Sequence, residues 1–218
     1  MTISKLHFPE GAWQSLFDRA MSILDELAAR GNAIPTWSLG GGTVLMFYYE
    51  HRKSKDIDIF IPDPQLINYL KPDRNDFVEG LISKHYDNND SIKLQFKEGD
   101  IDFVATSPLT KKPYTIENIR DREIKVETPV EIVAKKMFYR GSTALARDLF
   151  DLALVIEHEE STLSKYGDII NKHADVFLDQ CQTRSILRDQ FDDIDKIRFD
   201  KSYDDCLQIV TKFLRSLK

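Results

Sequence analysis

Apolar residues near the start of the sequence recur at three- and four-residue intervals. This spacing places them on one stripe of a helix, and it predicts a buried amphipathic helix over about residues 11–30. The members of the stripe are Phe17, Ala20, Met21, Leu24, Leu27 and Ala28. The next segment, AIPTWSL (33–39), predicts a short strand that leads into three glycines, and TVLMFYYEH (43–51) predicts a compact apolar helix.

Strict alternation of apolar and polar residues marks two further segments. KDIDIFI (55–61) predicts a half-buried strand with its isoleucines on one face and its aspartates, together with Phe60, on the other. SIKLQFKEGDIDFVAT (91–106) predicts two strands joined by a tight Glu-Gly-Asp turn. Between these segments, a helix is predicted over about residues 76–85.

The pattern changes at Thr128, where TPVE supplies a helix N-cap, a proline at the first helical position and a glutamate at the third. Helices are predicted over VEIVAKKMFYR and TALARDLFDLALVIE, and two or three more across residues 165–217. The sequence therefore predicts an α+β protein with two domains, an α/β domain at 1–125 and an all-helical domain at 126–218.

Composition narrows the class of protein. The net charge of −6 argues against non-specific coating of DNA, because phosphate binding depends on Lys and Arg. No apolar run is long enough to cross a membrane and the first residues lack a secretory signal, so we expect a cytoplasmic protein with no membrane partner. Cys181 and Cys206 are expected to be ordinary thiols. Three basic islands, at 51–55, 111–112 and 135–140, are each interpreted, taken alone, as solvated surface.

Two aspartates on the first alternating strand indicate a cation site. Asp56 and Asp58 project from the same face, with Cα atoms about 6 to 7 Å apart, so their carboxylates can converge on Mg²⁺ or Mn²⁺. Such ions complete their coordination with water and substrate phosphates. The glycine turn before the apolar helix exposes backbone N–H groups at the positive end of the helix dipole, where an anion can bind. Together these features predict binding of a metal-nucleotide.

Asp102 strengthens this prediction, because by alternation it faces away from Ile101 and Phe103 on a second strand. Three carboxylates on adjacent strands can hold the two metal ions of phosphoryl or nucleotidyl transfer. Each feature also has a simpler interpretation. A glycine turn can serve tight packing, an Asp-x-Asp can be a solvated strand edge, and Asp102 can be a surface carboxylate near a turn.

Taken in order, three segments resemble the AbiEii/AbiGii toxin family of nucleotidyltransferases, a branch of the DNA polymerase β-like superfamily. They are LGGGTVLMFYYEHRKSKDIDIF (39–60), IDF (101–103) and EIVAKKMFYRGSTALARDLFDLALV (131–155). The resemblance implies a nucleotidyltransferase fold, in which a small mixed β-sheet flanked by helices is followed by a C-terminal helical bundle.

The resemblance also implies roles for residues of the first domain. Gly41, Gly42 and Thr43 would form the turn that holds the triphosphate, with Ser54 nearby. Asp56 and Asp58 would be metal ligands. Asp102 would be the third carboxylate, which ligates one metal and accepts the proton of the attacking hydroxyl.

In the helical domain, the resemblance makes Lys136 the residue that neutralises phosphate charge. Arg147 suits a bidentate phosphate contact, while Asp148 and Asp151 are expected either to orient Lys136 or to contact the base and sugar. An ion pair between Arg147 and Asp151 on an exposed helix face is the alternative. His51 is interpreted as a structural hydrogen-bonding residue.

The function implied is transfer of an NMP from an NTP, with Mg²⁺ or Mn²⁺, to an acceptor hydroxyl with release of pyrophosphate. The acceptor would be RNA, especially tRNA, or a protein, and the enzyme would act as a toxin in a toxin-antitoxin or phage-defence system with a cognate antitoxin. A small-molecule nucleotidyltransferase of the antibiotic-modifying type, a non-enzymatic interaction module with this fold and a metal-dependent phosphohydrolase are the alternatives.

Overall fold

The structure is a computed structural model that describes residues 6–217. The chain forms two compact units, and neither is continuous in sequence. The first unit contains residues 6–47, Ser54–Pro108 and Tyr114–Glu127, and the second contains Tyr48–Lys53, Leu109–Pro113 and residues 128–217. The predicted boundary at residue 125 placed two short segments in the first domain that belong to the second unit here. They are Tyr48–Lys53 and Leu109–Pro113.

A mixed sheet forms the first unit, and within residues 6–217 it has seven strands. They are β1 (Ser38–Gly40), β2 (Ile57–Ile61), β3 (Lys84–Asp87), β4 (Ser91–Gln95), β5 (Asp100–Ala105), β6 (Tyr114–Ile119) and β7 (Arg122–Glu127). The order across the sheet is β3-β4-β5-β2-β1-β7-β6. The pairs β2–β5 and β1–β7 are parallel and the others antiparallel. The predicted α+β class is confirmed.

Helix α1 (Trp13–Ala29) confirms the first predicted helix and contacts β2 and β5. Its buried stripe includes Leu16 and Ile23, which the spacing argument omitted, whereas Ala28 is exposed. Ala28 lies at the last turn, where the helix leaves the sheet, and the chain reverses at Gly31 with φ +78°. The apolar periodicity therefore predicted the helix correctly but not the end of its buried face.

The segment around the glycines differs in its boundaries from the prediction. Strand β1 begins only at Ser38, because Pro35 cannot donate a ladder hydrogen bond. Helix α2 (Gly41–Tyr49) begins two residues before the predicted start, so that Gly41 and Gly42 form its first turn. It ends where Glu50 adopts φ 48°. The glycines are therefore part of the helix start and not a loop ahead of it.

The alternating segments form the predicted strands, but β2 begins at Ile57, two residues later than predicted, so that Asp56 lies just before the strand. In β2 the three isoleucines are fully buried and the residues between them are partly exposed. Strands β4 and β5 form the predicted antiparallel hairpin. The helix predicted at 76–85 is wrong in length, because α3 (Asp76–Glu79) stops at Gly80 and β3 follows. All four residues of β3 are exposed at the sheet edge, so this strand carries no alternation of apolar and polar residues.

The hairpin β6–β7 has no counterpart among the predicted elements. Its turn residues, Arg120 and Asp121, both have positive φ, at 50° and 62°, which matches the twist of a two-residue hairpin turn. Five of the six residues of β6 are at least partly exposed, so this edge strand has no apolar face that would mark it in the sequence. The segment forms a strand because it pairs with β7, and not because one of its faces is buried.

Helices form the second unit, and α4 shows why its sequence starts one. Thr128 accepts a hydrogen bond from the Glu131 N–H at 3.3 Å, and Pro129 occupies the first turn, as predicted. The helices of this unit are α4 (Pro129–Arg140), α5 (Ala146–Leu163), α6 (Gly167–Ile170), α7 (Ala174–Thr183), α8 (Ile186–Asp192) and α9 (Tyr203–Ser216). Helix α5 contacts α4, α8 and α9 and forms the core of this unit.

Both cysteines lie buried in the helical unit as free thiols, as predicted. Burial raises the pKa of Cys181 and of Cys206 to about 12, so neither is a reactive thiolate at neutral pH. None of the helices within residues 6–217 has the length and apolar content needed to cross a membrane.

Candidate active site

Two of the predicted carboxylates lie next to each other on one face of the sheet in the first unit. Asp58 on β2 is paired in parallel register with Asp102 on β5, and Gly40 on β1 is paired with Asp58 from the other side. Side chains of paired residues on neighbouring strands project from the same face, with strands about 4.8 Å apart. Asp56 precedes Asp58 by two positions, and its charge acts on Asp102. We call Asp56, Asp58 and Asp102 the carboxylate cluster, in which Asp58 and Asp102 are neighbours on the sheet and Asp56 lies just before β2.

Gly41 lies directly against this cluster. Its φ is +75°, and a Cβ atom built there would lie 1.8 Å from Oδ2 of Asp58. Only glycine tolerates both the backbone conformation and the contact. The first residue of α2 is therefore packed on the Asp58 carboxylate, which explains why a glycine turn and an Asp-x-Asp occur so close together in the sequence.

Gly41→Ala should disturb both the fold and the cluster. The added methyl group must displace the Asp58 side chain, and alanine must adopt a left-handed backbone conformation that costs roughly 1–3 kcal/mol. We expect a loss of at least about 2 kcal/mol in the free energy of unfolding, measured by urea denaturation, together with loss of nucleotidyl transfer.

Gly31→Ala is the matched control for backbone strain. Gly31 has φ +78°, but a Cβ atom there would meet nothing within 4 Å. We expect this variant to lose only about 1 kcal/mol, from the backbone alone. Equal losses for the two variants would show that the contact between Gly41 and Asp58 has no energetic consequence.

Thr43 and Ser54 fix the segment that leads into β2. The buried Thr43 hydroxyl lies 2.6 Å from the Asp56 carbonyl oxygen and 3.0 Å from Oγ of Ser54. A hydroxyl has one hydrogen to donate, and here it is donated to the chain's own backbone. The side chain of Thr43 therefore positions the backbone that carries Asp56.

Lys93 is a member of this site that the sequence analysis missed. It lies on β4 opposite Asp102, with Nζ 2.7 Å from Oδ2 of Asp102 and 3.2 Å from Oδ2 of Asp100. Asp56 is also engaged, because its Oδ1 accepts a hydrogen bond from the Asp100 N–H at 3.0 Å. The alternation of SIKLQ does put Lys93 on the polar face of the hairpin, which was the available signal.

Electrostatics at Asp102 reflect burial and crowding of charge. Burial raises the pKa of Asp102, the bonded ammonium of Lys93 counteracts this, and the carboxylates of Asp100 and Asp56 add to the rise. Burial works against the charged form of Lys93, but its bonds to Asp102 and Asp100 leave the pKa of that amine raised. The cluster is therefore a site where an additional positive charge is stabilising.

The donor set suits a hard divalent cation, because all three predicted ligands are carboxylate oxygens. Within residues 6–217, however, no three Asp, Glu, His or Cys side chains are already arranged as a metal centre. In the observed arrangement Asp102 contacts the Lys93 ammonium and Asp56 contacts the Asp100 N–H. The residues fit Mg²⁺ or Mn²⁺ by chemistry, and the side chains must reorient to hold it.

The remaining predicted residues belong to the second unit, where Asp151 is the centre of a buried network. Asp151 is fully buried and accepts hydrogen bonds from Arg52 at 2.8 and 3.0 Å and from Lys136 at 2.5 Å. Nε2 of His51 lies 2.9 Å from the same carboxylate. Burial opposes ionisation, but the charges of Arg52 and Lys136 hold the pKa of Asp151 well below its usual range. His51 has the structural role predicted for it.

Asp148 extends this network on α5. Its carboxylate binds Nζ of Lys136 at 2.8 Å and the Arg140 guanidinium at 2.6 Å. Burial opposes ionisation here too, but Lys136 and Arg140 lower the pKa of Asp148. The alternative of an exposed ion pair between Arg147 and Asp151 is wrong, because Asp151 is fully buried and its bonds reach other elements. Arg147 itself is exposed.

The prediction that the basic islands are solvated surface holds at 111–112 and for Lys53, Lys55 and Arg140, which are exposed, but it is wrong for the central cations of the other two islands. Arg52 is 5% exposed and binds Asp151, and Lys136 is shared between Asp148 and Asp151. Lys135 is also 5% exposed and lies 3.7 Å from the buried Glu131. These cations are buried as the partners of buried carboxylates, because an unpaired charge in the interior is strongly unfavourable. Charge runs in the sequence did not indicate which cations would be paired.

Comparison with solved structures gives the class of fold. A protein from H. pylori assigned as a nucleotidyltransferase aligns with a TM-score of 0.50 and 15% identity, over 96% of this chain and 97% of its own. JHP933 from Helicobacter pylori gives a TM-score of 0.49 at 15% identity, covering 96% and 95%. MenT4, the nucleotidyltransferase toxin Rv2826c of Mycobacterium tuberculosis H37Rv, gives 0.48 at 16%, covering 94% and 84%. The fold is that of a nucleotidyltransferase.

The sequence identifies the family within this class. Residues 22–215 match the family described as nucleotidyl transferase AbiEii toxin, type IV TA system. The chain belongs to the AbiEii nucleotidyltransferase toxin family and is therefore a nucleotidyltransferase. No curated protein sequence matches this chain significantly.

Proposed function

We propose that the enzyme transfers an NMP from an NTP to a hydroxyl group of RNA and releases pyrophosphate, using a divalent cation held by Asp56, Asp58 and Asp102. The observation that carries this proposal is the register of Asp58 with Asp102 on neighbouring strands, against the glycine start of α2. The carboxylates and the backbone donors of the glycine turn thus belong to one surface of the first unit.

Mg²⁺ or Mn²⁺ at these carboxylates would offset the negative charge of the phosphates and of the attacking oxygen. The three aspartates supply oxygen donors, and Gly41 gives Asp58 a defined position by direct packing. Thr43 does the same for the segment that carries Asp56, through its 2.6 Å hydrogen bond to the Asp56 carbonyl. Contacts within the protein therefore position these aspartates before any substrate binds.

In the proposed reaction, an acceptor hydroxyl oxygen forms a bond to the α-phosphorus of the NTP while the bond from that phosphorus to the bridging oxygen of pyrophosphate breaks. Asp102 is assigned as the group that accepts the hydroxyl proton. Its position favours this role, because Asp102 is paired with Asp58 on the neighbouring strand and so lies beside a proposed metal ligand.

The triphosphate is assigned to the start of α2. Gly41 and Gly42 form its first turn, where unpaired backbone N–H groups and the helix dipole favour an anion. Gly42 is partly exposed, so its backbone is accessible to a ligand. The nucleotide is thus proposed to contact backbone at this turn, with Thr43 and Ser54 behind it.

The roles of the second-unit residues follow the family resemblance. Lys136 is proposed to neutralise phosphate charge, and Asp148 and Asp151 to hold its ammonium through bonds of 2.8 and 2.5 Å. Burial of Asp151 supports this positioning role over contact with base or sugar. Arg147 is exposed and remains assigned to phosphate.

RNA is proposed as the acceptor, with tRNA as the first candidate, and the support for it is the family resemblance. The basic islands at 51–55 and 135–140 add no support, because their central cations are engaged in ion pairs with buried carboxylates. A protein hydroxyl is the second acceptor class. Membership in a type IV toxin-antitoxin family supports inhibition of growth that a cognate antitoxin relieves.

The test is transfer of label from each α-labelled NTP, with Mg²⁺ or Mn²⁺, to total RNA, to purified tRNA and to RNA-free cell protein. We expect one NTP to label RNA, with one pyrophosphate released per NMP transferred. Label on protein alone would reassign the acceptor. Release of orthophosphate without transfer would contradict the proposed reaction and favour a phosphohydrolase.

A further inference from the structure

Lys93 reaches the carboxylate cluster from the neighbouring hairpin strand. It is the direct cross-strand partner of Asp102, and its ammonium lies within hydrogen-bond distance of both Asp102 and Asp100. Three carboxylates, Asp56, Asp100 and Asp102, interact electrostatically at this point. A single ammonium thus sits among several negative charges, beside the residue assigned both as a metal ligand and as the proton acceptor.

This pair is less exposed than the surface ion pair between Arg188 and Asp204. The side chains of Lys93 and Asp102 are 37% and 19% exposed, whereas those of Arg188 and Asp204 are 49% and 72% exposed. Pairs as exposed as the second contribute little to stability. Asp102 is more shielded from solvent. The Lys93 ammonium next to it therefore has a larger effect on a second cation that binds the Asp102 carboxylate.

The same carboxylate is required by two cations. Oδ2 of Asp102 accepts from Lys93 at 2.7 Å, and Asp102 is a proposed ligand of the divalent ion. A carboxylate can bridge two cations, but an ammonium and a divalent ion that share it repel each other in a partly buried site. Lys93 therefore opposes metal binding at Asp102 for as long as it stays in place.

We propose that Lys93 is a tethered cation that holds Asp102 in the metal-free protein and is displaced from it when the divalent ion binds. Lys93 is thus a positioning residue that sets the affinity of the site for metal. This inference rests on the proposed function, because it takes Asp102 as a metal ligand. The contact of Lys93 with Asp102 also explains why, among the described residues, the carboxylate oxygens of the cluster are not arranged around one metal position.

The experiment measures Mn²⁺ binding to the full-length protein by electron paramagnetic resonance, which reports free Mn²⁺ and needs no turnover. We expect Lys93→Met to bind Mn²⁺ about tenfold more tightly than the wild type, because the competing charge is removed. Lys97→Met is the matched control. Lys97 lies in the turn of the same hairpin, is exposed, and loses the same charge on substitution. Its affinity should equal that of the wild type.

A second substitution tests whether the effect passes through Asp102. In an Asp102→Asn background, Lys93→Met should no longer change Mn²⁺ affinity, because the contested carboxylate is absent. Lys93→Gln keeps a polar chain of similar length and provides a second variant if the methionine variant folds poorly, as judged by circular dichroism. Mn²⁺ should raise the unfolding temperature of both Lys93 variants more than that of the wild type.

The outcomes separate this inference from the proposed function. Equal or weaker Mn²⁺ binding by both Lys93 variants, with binding by the wild type, would overturn the inference alone. A tenfold gain that persists in the Asp102→Asn background would also overturn it, since the effect would then be general charge. Absence of Mn²⁺ binding by every variant would overturn both the inference and the metal dependence of the proposed reaction.

Discussion

Asp58→Asn should lower NMP transfer on the order of 10³-fold or more, because it removes a charged oxygen donor that we propose to bind the divalent cation. Asparagine is close to aspartate in size, so it preserves the packing of this side chain against Gly41. Removal of one negative charge from a crowded cluster also relieves repulsion in the metal-free protein. We therefore expect normal folding, measured by circular dichroism and urea denaturation, with loss of transfer of the labelled NMP.

The control for this variant is Asp90→Asn. Asp90 is an exposed residue next to the turn between β3 and β4, and the substitution changes the net charge by the same amount. Its transfer activity should equal that of the wild type. Full transfer by Asp58→Asn would contradict the role of the cluster, and an equal loss in the Asp90 variant would indicate a general effect of charge.

The largest effect on stability is expected at Asp151. Asparagine in its place leaves Arg52 and Lys136 in the interior without the carboxylate that both of them bind. Breaking a buried ion pair on one side costs about 3–5 kcal/mol. For a chain of this length, that corresponds to a fall of roughly 10 °C in the melting temperature. Thermal denaturation followed by circular dichroism measures it.

Asp179→Asn, on an exposed position of α7 in the same unit, is the matched control and should leave the melting temperature unchanged. The pH dependence provides a second check. The pKa of Asp151 is depressed in the folded protein, so its stabilisation is present above the unfolded pKa of about 3.9 and is lost as pH falls through the folded value. The stability difference between wild type and Asp151→Asn should therefore narrow under strongly acidic conditions. A difference that stays constant with pH would contradict an electrostatic origin.

The parts of the fold that could be predicted are those in which one element carries its own signal. The isoleucines of β2, the β4–β5 hairpin and the N-cap at Thr128 are patterns of adjacent residues, and each formed as predicted. Strands β3 and β6 could not be found in this way. They lie at the two edges of the sheet and are mostly exposed, so neither shows the alternation of apolar and polar residues that burial of one face imposes.

The candidate site also contains residues that a local sequence pattern indicated and one that only strand pairing reveals. Alternation placed Asp58 and Asp102 on the polar faces of their strands, and the register of β2 with β5 made them neighbours. Lys93 was missed although it lies only nine positions from Asp102. Lysines on the polar face of a strand are usually solvated, and only the pairing of β4 with β5 places this one on a carboxylate.

By itself, the sequence determined which face each element buries and where the carboxylates stand on their strands, because both depend on the local period of the backbone. Only the tertiary structure decided which charges are paired. His51 and Arg52 contact Asp151 from 100 and 99 positions away, and together with Lys136 they form a buried network within two basic islands whose other cations include exposed ones. An unpaired charge in the interior is strongly unfavourable, so these buried cations pair with buried carboxylates. Because the partners are distant in the sequence, no local pattern specifies them.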